Sequence, residues 1–93
     1  MEEHSGVVYR VLSGRILYIV SDGDPWSFNI SQLMVRDSNG ALQPYRGEPL
    51  DYIGLRKGSK VIIRDLYSDN PTVIFNPQRK MGIKESIKRM LGL

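Results

Sequence analysis

Between residues 7 and 77, turn-forming clusters cut the chain into runs too short for ordinary helices. Ser13-Gly14, Ser21–Pro25, Asp37–Gly40, Lys57–Ser59 and Ser68–Pro71 separate segments rich in β-branched and aromatic residues. This punctuation specifies an all-β protein of short strands. The chain has 93 residues, the size of one domain, and a core this small is best enclosed by a barrel, which leaves few open strand edges.

Val7–Leu12 and Arg15–Val20 flank Ser13-Gly14, which can either close a hairpin or kink one long strand; the kinked strand is the expected reading. Trp26, Phe28 and Ile30 alternate with Ser27, Asn29 and Ser31, while Leu33 and Val35 follow in the opposite parity, so a bulge is expected near Ser31-Gln32. Pro44 confines the short segment Ala41–Tyr45 to an edge or a bulge. Gly47–Arg56 reads as a short helix or irregular plug. Lys60–Tyr67 reads as a strand with Val61 and Ile63 facing in, and Thr72–Phe75 as a last strand ended by Pro77.

From Gly82 the period changes. Ile83, Ile87, Met90 and Leu91 follow the i, i+4, i+7, i+8 spacing of a helical stripe, and Glu85 and Arg89 are placed as a favourable i,i+4 pair. The domain reading is therefore a disordered N-terminus over 1–6, a barrel over 7–77 and a basic amphipathic C-terminal helix over 78–93. Residues 1–78 hold eight Lys/Arg against nine Asp/Glu, a net −1, whereas 79–93 hold five against one, a net +4. Polyanion binding by the barrel would thus need a local patch rather than overall charge. The tail can lie on an anionic membrane, add phosphate contacts, or pack its four apolar residues on protein; packing on protein is expected, since so short a helix is marginal alone in water.

Catalysis finds little purchase. The chain has no cysteine and one histidine, His4; Asp22 and Asp24 share a loop without a nucleophile or metal partner; no phosphate loop, dinucleotide fingerprint or zinc spacing is present. No enzyme activity, cofactor or metal is expected. No apolar run approaches a membrane span, and the acidic MEEHSG start is unlike a signal peptide, so the expected location is the cytoplasm, or the nucleus in a eukaryote.

Leu33-Met34-Val35-Arg36-Asp37-Ser38-Asn39-Gly40-Ala41-Leu42 resembles the second strand, turn and third strand of OB (oligonucleotide/oligosaccharide-binding) folds in replication protein A and archaeal single-stranded DNA-binding proteins. Leu55–Ile63 resembles the entry to their fourth strand, and Ser13–Leu17 the glycine-bearing kink of their first. The likeness covers about residues 7–77 and implies a five-stranded OB-fold barrel, followed here by a short C-terminal helix. Pro44 and Arg46 depart from the apolar continuation usual in the third strand, and the Trp customary at its end is absent. An SH3-like barrel is the alternative architecture, having five short strands as well.

Single-strand binding needs aromatic faces for bases and Lys/Arg for phosphates. The residues expected to supply them are Arg36, Tyr45, Arg46, Lys60, Arg64 and Tyr67, with Trp26 at the flank. Each has a plainer role available: Trp26 or Phe28 in the core, Tyr18 in core or groove, Arg36 and Arg64 in surface pairs with acids such as Asp37 and Asp65. The expected function is binding of single-stranded nucleic acid, DNA before RNA. The alternative is a structural subunit of a replication, repair or telomere-type complex, or a homo-oligomer, docking through Ile83, Ile87, Met90 and Leu91, the helix face that the same resemblance implies for subunit association.

Overall fold

The computed structural model describes residues 2–77. The expected C-terminal helix, with Ile83, Ile87, Met90 and Leu91, lies outside them. The protein is mostly β. Its strands are β1 (Glu3–Leu12), β2 (Ile16–Ser21), β3 (Asp24–Asn29), β4 (Leu33–Arg36), β5 (Leu42–Pro44), β6 (Lys60–Arg64) and β7 (Thr72–Phe75), with one short helix, α1 (Leu50–Ile53), between β5 and β6. They form one seven-stranded sheet in the order β3-β2-β1-β6-β7-β4-β5. All pairs are antiparallel except β4 with β7, where Leu33, Met34 and Val35 lie beside Val73, Ile74 and Phe75.

The chain reverses at Ser13-Gly14 instead of bending there. Ser13 and Gly14 have φ of 54° and 65°, and the Arg15 N–H donates to the Leu12 carbonyl at 2.9 Å. Positive φ at both central residues matches the right-handed twist of the flanking strands. The alternation of apolar residues does not separate a hairpin from a kink, and pairing of β2 along β1 decides it. Asp22-Gly23, with φ of 56° and 79°, makes the next hairpin in the same way.

The segment read as a disordered N-terminus is in fact the first half of β1: Glu3 to Val7 pair with Arg64 to Lys60. β1 then pairs with β2 from Gly6 to Leu12. Gly6 sits where the two pairings overlap. A Cβ there would lie 2.7 Å from Ile19 Cγ2, 3.0 Å from Ile63 Cδ1 and 3.3 Å from the Val20 carbonyl oxygen, so the strand is shared closely between β2 and β6 only because residue 6 has no side chain.

Three other boundaries differ from the sequence reading. The parity change after Asn29 is absorbed by a 3-10 turn over Ile30–Gln32, whose ends Asn29 and Gln32 satisfy mutually: Ser31 N–H donates to Asn29 Oδ1 and Asn29 N–H to Gln32 Oε1, each at 2.9 Å. β6 stops at Arg64, not Tyr67, since Asp65 takes φ of 55°. β5 is only three residues long and lies at the end of the strand order, where Pro44 costs no ladder bond.

One buried cluster holds the sheet. It draws on Val8, Leu17 and Ile19, Phe28, Leu33, Val61 and Ile63, Val73 and Phe75, hence on six of the seven strands, with Ile53 of α1 beside them. Phe28 on β3 and Leu33 on β4 belong to this one cluster although their strands stand far apart in the sheet order, so the sheet curls around it. Gly6→Ala should destabilise the fold by about 1–3 kcal/mol, the usual cost of overpacking a filled core, read as a lower urea midpoint with an unchanged denaturant slope.

Candidate functional site

The seven residues expected to form one groove are distributed over three places. Trp26 and Tyr67 meet edge to face, with ring centroids 5.3 Å apart, and His4 also meets Tyr67 edge to face at 5.6 Å. Trp26 is half-buried against the core, and its indole N–H donates to the Ser21 carbonyl at 2.9 Å. Tyr67 is exposed, and its hydroxyl hydrogen-bonds the Asp22 carboxylate. That bond, then burial, then the negative charges of Asp22, Asp24 and Glu2 raise the Tyr67 pKa above its ordinary value. Arg64 is held by Glu3 at 2.9 Å. This end of the sheet is therefore acidic.

Arg36, Tyr45 and Arg46 line a groove of about 400 Å³ between the β4–β5 hairpin and α1, with Tyr52 at its rim. Arg36 donates through Nε to Asn76 Oδ1 and through Nη1 to the Gly40 carbonyl, both at 2.7 Å. Its fork is thus positioned by neutral acceptors and not neutralised. Tyr45 packs on the core, and its hydroxyl donates to the Glu48 carbonyl. Burial and the Glu48 charge raise its pKa. Asp37 and Glu48 bring negative charge to the same groove.

Lys60, the seventh, lies at the opposite end of β6 from Arg64 and belongs to a surface the sequence reading did not assemble. β1 has a bulge between Val8 and Arg10. In uninterrupted alternation Arg10 would share the core parity of Gly6 and Val8. The extra residue, Tyr9, leaves both Tyr9 and Arg10 outside and returns Val11 to the core. Across the ladder Arg10 faces Tyr18. Its guanidinium carbon lies 5.8 Å from the Tyr18 ring centroid, within cation–π range, and the Tyr9 and Tyr18 centroids are 5.9 Å apart.

Segments bearing further cations adjoin this part of β1. The Arg56–Ser59 loop is tied to β1: Gly58 N–H donates to the Val8 carbonyl at 2.7 Å and Val8 N–H to the Ser59 carbonyl at 2.9 Å. Lys60 is the cross-strand partner of Val7. Arg56 and Lys57 share a cavity with Asp51 and with Gly14 of the first hairpin, which carries Arg15. Arg10, Arg15, Arg56, Lys57 and Lys60 are all exposed. Among the described residues, Arg64 is the only Lys or Arg in a salt bridge. Val7 and Val20, paired on the same outer face, are 42% and 43% exposed and make it partly apolar. The signal for Tyr18 was available, since Leu17 and Ile19 claim the inner parity; for Arg10 no local pattern marks the bulge.

Among the described residues no group of three or more His, Cys, Asp or Glu could hold a metal ion, and no helix is long and apolar enough to cross a membrane.

The Asp37 carboxylate organises the β4–β5 turn. It accepts from the Asn39 and Ala41 N–H groups, each at 2.9 Å, and from Gln43 Nε2 at 3.3 Å. The Ala41 bond leads in holding its pKa below the ordinary carboxylate value, against a smaller opposing effect of burial. A depressed folded pKa means stabilisation that is present above the unfolded value and lost as pH falls through the folded one. The Asn39 and Ala41 amide resonances should therefore titrate together at a pH below that of an ordinary aspartate, and in Asp37→Asn that step should be absent.

Comparison with known proteins yields no family model, curated protein or solved structure that matches this chain.

Proposed function

We propose that this protein binds single-stranded nucleic acid, DNA before RNA, on the outer face of β1 and β2, by base stacking and phosphate neutralisation and without chemistry on the strand. The observation that carries the reading is the bulge that turns Tyr9 and Arg10 outward together, opposite Tyr18 and among cations that have no salt-bridge partner among the described residues. Exposed rings offer every base a π-face, and Lys/Arg without carboxylate partners are free for phosphates. The rings lie too close together for a base to insert between them, because two stacking contacts need about 6.8 Å at the ~3.4 Å base spacing. Bases stack on their outer sides.

The fold reading that goes with this is an OB-type barrel. It is supported by the parallel pairing of β4 with β7 and by β3 and β4 being successive halves of one run broken at Ile30–Gln32. With that run counted as one strand and β5 as an appendage, five strands remain, and α1 lies between the third and fourth. Trp26, Arg64 and Tyr67 fall outside the proposed surface, where Glu2, Asp22 and Asp24 oppose phosphate.

Titration of labelled oligothymidine should give binding whose log–log salt slope is about −0.7 per phosphate neutralised. Tyr9→Ala and Tyr18→Ala should each weaken it by about 1–3 kcal/mol, Lys57→Gln with Lys60→Gln should flatten the slope, and Tyr67→Ala should leave affinity unchanged. Competition between RNA and DNA oligomers ranks the two. An absence of binding at tens of micromolar protein in low salt, or tyrosine variants that bind like the parent, would overturn the proposal.

A further inference from the structure

Beyond β1 and β2 the outer face of the sheet continues over β6 and β7, and a second polar surface forms there. Inward positions belong to Gly6 and Val8 on β1, Val61 and Ile63 on β6, and Val73 and Phe75 on β7. Alternation turns Ser5, Lys60, Ile62 and Asn76 to the other face. Val7 pairs with Lys60 and Ser5 with Ile62, so Ser5 is a diagonal neighbour of Lys60, about 7–8 Å away. Ile62 pairs with Ile74, and the same register continued by two residues brings Asn76 opposite Lys60. These four residues and Arg56 line one cavity of about 620 Å³.

The polar groups that meet in this cavity are hydrogen-bond donors. Asn76 Oδ1 already accepts from Arg36 Nε at 2.7 Å, which leaves the NH2 of its amide to be offered. Ser5 adds an exposed hydroxyl. Arg56 and Lys60 are exposed, and neither is in a salt bridge among the described residues. Among the described residues no carboxylate lines the cavity. The backbone under Arg56 is fixed in advance: its N–H donates to Ser59 Oγ and its carbonyl accepts from the Ser59 N–H, both at 2.9 Å, while Gly58 and Ser59 are bonded to Val8. A wall that is already ordered loses less freedom when a ligand arrives.

We propose that this cavity holds a phosphomonoester, with the phosphate between Arg56 and Lys60 and hydrogen-bonded by the Ser5 hydroxyl and the Asn76 amide. A monoester carries about −1.5 to −2 charge at neutral pH and three strong acceptor oxygens, which two cations and two neutral donors match. A diester inside a strand carries a single charge and leaves half of that set unused. The volume exceeds a lone phosphate, and half-buried Ile62 gives the remaining space an apolar floor for the attached group. A free nucleotide and the end of a strand present the same group; only the second source rests on the nucleic-acid reading. Lys60 borders the outer face of β1 and β2 as well, beside Val7 and Val20, so a strand on that face has its end within reach of the cavity.

Thymidine monophosphate titrated into the full chain and followed by amide NMR should shift the Gly58 and Ser59 backbone signals and the Asn76 side-chain amide. Thymidine should leave them in place. The methyl ester of the same phosphate, a diester, should bind more weakly. Arg56→Gln should weaken monophosphate binding about tenfold, the worth of one hydrogen bond to a charged group, with the unfolding midpoint unchanged because Arg56 is exposed. Oligothymidine with a phosphate at one end, at the other or at neither separates the two sources. Tighter binding of a phosphorylated end assigns the cavity to strand ends, and equal binding of all three beside a bound monophosphate assigns it to a free nucleotide. If no oligomer binds while the monophosphate does, the nucleic-acid reading fails and the phosphomonoester site stands. Unmoved signals at millimolar monophosphate, equal shifts from sodium sulfate at matched ionic strength, or an Arg56→Gln variant that binds like the parent would each defeat the proposal.

Discussion

The structure depends on one strand serving two partners. β1 gives its first half to β6 and its second to β2, and the overlap falls at Gly6. Had residue 6 a side chain, Ile19 and Ile63 would have to shift apart, and the core would pack less well where the two arms of the sheet meet. Everything downstream uses this arrangement: Val8 joins Leu17 and Ile63 in the cluster, and the Arg56–Ser59 loop is stitched to Val8 as β1 leaves β6. The bulge at Tyr9 follows at once. A strand that must coil between two neighbours needs local twist, and a bulge supplies it while re-aiming a side chain.

The same strand sorts the charge. Its N-terminal end carries Glu3, with Glu2 just before it, and lies beside Arg64 and the Asp22-Gly23 turn; past Val7, which pairs with Lys60, its C-terminal half carries Arg10 and runs toward Arg15. Aromatic rings are found in both regions but in different company. Tyr67 gives its hydroxyl to a carboxylate and leans on Trp26 and His4, which is a packed and satisfied cluster. Among the described residues, the aromatic and cation–π contacts of Tyr9 and Tyr18 are with each other and, for Tyr18, with Arg10.

Much of the architecture was legible because turns announce themselves. Asp22-Gly23 and the Asp37–Gly40 cluster carry residues that tolerate positive φ or satisfy backbone N–H groups from a side chain, and the strand parity of Val61 and Ile63 followed from burial on one face. What escaped was non-local. The order of Glu3–Val7 comes from pairing with Lys60–Arg64, more than fifty residues away, and a Ser-Gly pair reads alike in a hairpin and a kink until its flanks are paired. The site suffered most. Trp26, Arg36, Tyr45, Arg46, Lys60, Arg64 and Tyr67 each suit single-strand binding by type, but nothing in their spacing tells which share a surface, and the bulge that decides Arg10 has no composition of its own.

Net charge misleads for a related reason. Residues 1–78 sum to −1, a value that argues against a polyanion only if all charges act at one point. Arg10 lies seven positions after Glu3 in β1, about 23 Å of extended chain. At physiological salt the screening length is about 8 Å, so a phosphate at Arg10 is nearly blind to the acids at the far end. At about 0.01 M salt the length grows to ~30 Å and the acids come back into view, opposing the attraction that low salt otherwise strengthens. Segregation along one strand thus lets a nearly neutral domain present a cationic surface, and it does so without the self-repulsion that a uniformly basic domain of this size would carry.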